Sequence, residues 1–193
     1  MLILASASPR RREFLARIGV AFAVHPADID ETPGADEPAV AYVERVAAAK
    51  AAALASDDDW VLAADTTVIV DGRIFGKAAD GDAAAVMLRA LRGRTHQVTT
   101  AVVLRRGAEV HAITVTSDVE MVDFDEALLA DYVASREWDG KAGAYAVQGI
   151  GAALVRSVRG SITNIAGLPL AEVVELLRAT GAAEVRLAHG HAA

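Results

Sequence analysis

The sequence predicts a mixed α/β fold, a twisted mixed sheet flanked by helices. Two observations predict it. Helix and strand signals alternate through the first half of the chain. Two long β-rich runs, residues 96–104 and 109–122, then adjoin across Arg105-Arg106-Gly107 as an antiparallel pair. No internal repeat or low-complexity tract interrupts the pattern, so residues 1–193 read as one domain, most simply two lobes around a central cleft.

The elements follow in order. Leu2 to Ala5 are apolar at consecutive positions and predict a short buried strand. Ser8 as N-cap and Pro9 at the first helical position open a helix whose Phe14, Leu15 and Ile18 share one face, ended by Gly19. Phe22 to His25 predict a strand stopped by Pro26, and Asp28-Ile29-Asp30-Glu31 an acidic loop. The alanine-rich stretch 37–55 has high helix propensity. Trp60 to Ala64 predict a strand ending at Asp65-Thr66, with a second β-branched run at 67–70. Asp71-Gly72 is a hairpin signal, and residues 82–91 predict a helix stopped by Gly93. A helix at 126–135, a glycine-rich segment at 140–151, a strand at 153–158 and an amphipathic helix at 170–179 complete the reading. The tail, residues 188–193, is expected to fray.

Composition excludes several functions. Lys and Arg number 19 against 26 Asp and Glu, a net charge of −7, which opposes sequence-independent nucleic-acid binding. Aromatic residues are 5%, too few for a base-stacking platform. There is no cysteine, hence no disulfide, thiolate nucleophile or Cys-ligated zinc. No apolar run approaches a membrane span, and the N-terminus lacks the order of a signal peptide, so the expected location is the cytoplasm.

Against this acidic background, Ser6-Ala7-Ser8-Pro9-Arg10-Arg11-Arg12 stands out. Hydroxyls, helix N-terminal N–H groups and guanidiniums all favour an anion such as phosphate, whereas three cations there oppose the helix dipole. Asp65 reads equally as a metal ligand, a proton acceptor for water or a turn carboxylate. Asp28, Asp30 and Glu31 are hard oxygen donors suited to magnesium or manganese, or else a solvated loop. Lys50 and Lys77 can neutralise phosphate, and Gln148 can present both a donor and an acceptor to a base. Histidines 25, 96, 111, 189 and 191 show no metal-ligand spacing.

Seven segments in order carry a resemblance. They are residues 4–11 (Leu-Ala-Ser-Ala-Ser-Pro-Arg-Arg), 28–31, Lys50-Ala51, Ala64-Asp65-Thr66, Gly76-Lys77, Lys141 to Gly149, and Asn164 with 167–170. Together the chain resembles the Maf family of nucleoside triphosphate pyrophosphatases. The resemblance implies an ITPase-like two-lobed fold, a homodimer, and hydrolysis of a nucleoside triphosphate to monophosphate and pyrophosphate with magnesium or manganese. By the same resemblance Asp65 is the proton acceptor and, with Glu31, holds the metal. Ser6, Arg10, Arg11, Lys50 and Lys77 bind the phosphates. Arg10, Thr66 and Gln148 agree with members acting on dTTP and UTP. The rival readings are a purine-type pyrophosphatase for ITP, XTP or 7-methyl-GTP, and an inhibitor of septum formation acting by binding. Three positions and one segment depart from the family pattern: Ala78, Ala101, Arg136 and residues 161–163.

Overall fold

The computed structural model describes residues 1–187; the predicted fraying of 188–193 lies outside them. Among the described residues seven strands form one sheet: β1 (Leu2–Leu4), β2 (Ala23–Val24), β3 (Trp60–Val70), β4 (Arg73–Phe75), β5 (Thr95–Arg106), β6 (Glu109–Met121) and β7 (Val155–Arg159). The helices are α1 (Pro9–Arg17), α2 (Ala39–Ala53), α3 (Gly81–Leu91), α4 (Glu126–Ala134), α5 (Ile162–Ile165) and α6 (Leu170–Thr180). The strand order is β2-β1-β3-β5-β6-β7, with β4 also on β3. β1 pairs in parallel with β2 and β3, and all other pairings are antiparallel, so the sheet is mixed as predicted.

Local chemistry explains most boundaries. Asp80 and Asp125 cap α3 and α4 by accepting from Ala83 N–H and Leu128 N–H, each at 2.8 Å. Gly181 ends α6 in the left-handed conformation. Asp71 and Gly72 both have positive φ, as a tight two-residue hairpin requires. Arg136, one of the departures from the family pattern, also has positive φ (58°), a conformation glycine would adopt without a Cβ penalty.

Several expectations need correction. The two runs around Asp65 form one unbroken 11-residue strand, β3, because β5 pairs with it from Val61 to Ile69. Asp65 therefore lies in mid-strand, not at a strand end. Ser8 precedes α1 as expected, but its side chain makes no capping bond; Ser6 Oγ accepts from Ser8 N–H instead. α2 begins at Ala39, since Glu37 is engaged by Arg45 and Gly34 N–H. The final strand starts at Val155 after a 3₁₀ turn, Ile150–Leu154, and α5 is too short for periodicity to reveal.

The apolar interior divides at the middle of β3. Leu62 and Ala64 pack with α1, β1 and α6, while Val61 and Ala63 pack with α2 on the opposite face. Val68 and Val70 belong to a separate core built with α3, α4, Trp138 and Tyr145. Between these cores runs a buried polar belt: Asp65 and Thr67 on β3, Thr99 and Thr100 on β5, Ser117 on β6, and Asn164 on α5. Buried hydroxyls are tolerated there where they find hydrogen-bond partners, as Thr99 does in Thr116 at 2.9 Å and Thr100 in Asn164 C=O at 3.0 Å. The belt separates the two lobes.

Candidate active site

One edge of β3 is paired throughout by β5. The other edge is covered by β1 only as far as Leu62 and by β4 only from Val68. Among the described residues no strand pairs on that edge with the interval between, which carries Asp65, Thr66 and Thr67, so it is an uncovered strand edge inside the sheet. A cavity of about 760 Å³ opens onto it. Because side chains alternate along a strand, Asp65 faces α2 and Thr66 faces α1. Both line this cavity, as do the seven other residues singled out above: Ser6, Arg10, Arg11, Glu31, Lys50, Lys77 and Gln148.

On the α2 face, Lys50 from the last turn of α2 reaches Asp65. Its Nζ lies 2.8 Å from Asp65 Oδ1 and 3.0 Å from Glu31 Oε1. The Lys50 and Asp65 side chains are nearly buried, at 9% and 10% exposure, while Glu31 is exposed. The acidic loop thus divides: Glu31 reaches Lys50, whereas Asp30 accepts from Thr32 N–H at 2.8 Å, and the Thr32 hydroxyl first and then that N–H lower its pKa. Asp28 does not line the cavity.

A divalent ion fits these donors. Glu31 and Asp65 already converge on one cationic centre, the Lys50 ammonium. Among the described residues no group of three or more His, Asp or Glu is placed to hold a metal ion. Two carboxylates suit magnesium or manganese, which complete their shells with water and phosphate oxygens; they do not suit an all-protein cage.

On the α1 face, Arg11 is turned inward. Its Nε donates to Gly167 C=O at 2.8 Å, Nη1 to Ser6 Oγ at 3.1 Å and Nη2 to Thr66 Oγ1 at 3.0 Å. Three of its five N–H groups therefore hold the protein together. Burial is also the leading cause of its lowered pKa. Arg10 is half-buried; burial lowers its pKa, and Glu137 opposes the shift.

The second lobe supplies the far wall. Lys77 is exposed and pairs with Ala142 through a single antiparallel bridge. Gly143 N–H, held by the Phe75 and Gly76 carbonyls, fixes the same corner; a Cβ there would stand 2.9 Å from Val68 Cγ2. Gln148 sits exposed at the rim. Its loop is anchored by Glu137, whose carboxylate accepts from Ile150 N–H at 2.9 Å and Gly151 N–H at 2.7 Å.

Sequence reasoning assigned no role to Lys141, Glu137 or Tyr145. Lys141 lines the cavity, its pKa lowered by burial and then by Arg10. Only the Lys-Ala-Gly-Ala-Tyr motif pointed to it. Tyr145 lines the cavity and shares a 2.7 Å hydrogen bond with His96 Nε2.

Burial holds the His96 pKa down to about 4 from 6.5. The unfolded chain takes up a proton that the folded state refuses. The resulting stability is complete above pH 6.5 and lost as pH falls towards 4, on the order of 3 kcal/mol. Urea unfolding should therefore show wild type losing more stability between pH 7 and pH 4 than His96→Gln. Equal losses would refute the assignment.

Comparison with known proteins settles the lineage. The family profile described as "Maf-like protein" matches residues 1–180. The chain belongs to the Maf family. This Maf protein is 52% identical to the dTTP/UTP pyrophosphatase of Cereibacter sphaeroides, over 93% of this chain and 95% of that one. It is 48% identical to the dTTP/UTP pyrophosphatase of Myxococcus xanthus, over 94% and 93% of the two chains. Among solved structures, the Staphylococcus aureus Ham1 protein aligns over 63% of this chain and 72% of its own, with TM-score 0.44 and 19% identity. Among the described residues of this Maf protein, no helix is long and apolar enough to cross a membrane.

Proposed function

We propose that this Maf protein hydrolyses dTTP and UTP to the monophosphate and pyrophosphate. One observation carries the proposal: a single uncovered stretch of β3 presents a lysine-paired carboxylate, Asp65, to one face and a base-reading hydroxyl, Thr66, to the other. A nucleotide lying across that edge places its phosphates towards Asp65, Glu31 and Lys77 and its base towards Thr66 and Gln148. Relatives at 46–52% identity bear the name dTTP/UTP pyrophosphatase, in line with this reading.

The chemistry asks for positioning and charge more than covalent catalysis. Asp65 accepts a proton from water as its oxygen bonds to the α-phosphorus. The bond from that phosphorus to the bridging oxygen breaks, and pyrophosphate leaves with the electron pair. Lys77 and Arg10 neutralise phosphate oxygens, and Lys50 holds Asp65 in place. Magnesium or manganese, held by Glu31 and Asp65, would supply further neutralisation of the triphosphate when bound.

A uracil or thymine edge offers acceptor, donor, acceptor, which an amide and a hydroxyl can match; cytosine reverses part of that pattern. A pyrophosphate-release panel of dTTP, UTP, CTP, ITP and 7-methyl-GTP tests the proposal. dTTP and UTP should turn over fastest. Faster turnover of CTP, ITP or 7-methyl-GTP would overturn it.

A further inference from the structure

The polar belt beneath Thr66 has a fixed direction of hydrogen bonding. Thr100 is fully buried on β5 and lies directly across from Thr66 in the β3–β5 register. Its Oγ1 is 3.0 Å from the backbone carbonyl oxygen of Asn164, which can only accept. The Thr100 proton is therefore committed to Asn164. Thr66 Oγ1 lies 2.9 Å from Thr100 Oγ1, and with Thr100's proton already committed, Thr66 must be the donor of that bond. Arg11 Nη2 donates to one lone pair of Thr66. A hydroxyl has one proton and two lone pairs, so Thr66 keeps a single lone pair for the cavity.

Asn164 cannot relax this arrangement. It is fully buried, and its Nδ2 donates to Val98 C=O and to Ser117 Oγ, both at 2.9 Å. Ser117 Oγ is in turn bound by Ser161 N–H at 3.0 Å. The carbonyl that orients Thr100 is thus anchored to two neighbouring strands.

We infer that Thr100 is a positioning residue for base selection: its buried hydroxyl makes Thr66 an acceptor-only group towards the cavity. Placed opposite N3, such a group accepts from the N–H of uracil and thymine, whereas cytosine presents an acceptor there and its amino donors lie at position 4. The inference deepens the pyrimidine reading above and rests on it. Thr100 lies outside the seven segments that carry the resemblance, and β-propensity does not distinguish it from the threonines around it.

Thr100→Val removes the hydroxyl at nearly constant volume and frees the Thr66 proton to turn towards the cavity. The expected result is a fall in the UTP-to-CTP ratio of kcat/KM by roughly tenfold, with much of the change from faster CTP hydrolysis. Thr100→Ser keeps the hydroxyl and should retain the wild-type ratio. A merely structural role would slow both substrates together. Thr100→Val removes one of the two hydrogen bonds to the Asn164 carbonyl, which keeps Gly167 N–H at 2.9 Å, and can lower stability, so a second measurement uses the wild-type protein. UTP methylated at N3 should be hydrolysed at least roughly tenfold less efficiently than UTP. An unchanged UTP-to-CTP ratio in folded Thr100→Val, or comparable use of N3-methyl-UTP and UTP by wild type, overturns the inference alone. A wild-type enzyme that prefers purine triphosphates to UTP overturns the pyrimidine reading and this inference with it.

Discussion

Asp65→Asn should reduce kcat for pyrophosphate release from UTP by roughly 10²–10⁴-fold, the range for loss of a positioned general base, while the protein keeps its fold. The amide has nearly the shape of the carboxylate, and its oxygen can still accept from Lys50 Nζ, now 2.8 Å away. Glu31, at 3.0 Å, still balances the Lys50 charge, so the buried ammonium is not left unpaired. What disappears is the ability to take a proton from water. Turnover and thermal unfolding measured on the same preparation separate the two effects. An Asp65→Asn enzyme running at wild-type speed would remove Asp65 from the mechanism.

Lys50→Met acts chiefly on stability, and its effect is also large. The Lys50–Asp65 pair lies against the α2 core, and Glu31 is too exposed to share the same shelter. Without the ammonium, Asp65 remains buried as an uncompensated charge. Breaking a buried pair from one side costs about 3–5 kcal/mol. Urea unfolding at pH 7 should show that loss, together with a fall in kcat. Adding Asp65→Asn to Lys50→Met removes the orphaned charge, so the double variant should recover most of the stability though none of the turnover. Strict additivity of the two substitutions would show that the groups do not interact in solution.

The departures between sequence and structure share a cause. Period-2 and helical patterns report what a few neighbouring residues prefer. They report neither which strand edge stays uncovered nor where two cores part. Asp65 looked like the end of a strand because a charge follows Val61 to Ala64. It lies mid-strand because pairing with β5 carries the backbone through, and the polar belt accommodates its side chain. Arg11 and Arg10 are adjacent in sequence and alike in chemistry. Yet Arg11 is turned inward to Gly167, Ser6 and Thr66, while Arg10 is half-buried beside the second lobe's Glu137. Likewise Asp30 and Glu31 are neighbours in one acidic loop, and only the second reaches Lys50.

By itself the sequence determined the kinds of element, the absence of thiol chemistry and the segments that carry the Maf resemblance, because these depend on residue identity and short spacing. Tertiary structure alone decided that β1 covers β3 only as far as Leu62; the hairpin strand β4 ends opposite Val68, so Asp65 and Thr66 stand on the bare edge between. It also decided the direction of the Thr66–Thr100–Asn164 hydrogen bonds. The physical reason is that the proton direction depends on partners 34 and 64 residues away, and the end of β1's cover on a strand near the N-terminus, whose positions no local preference encodes.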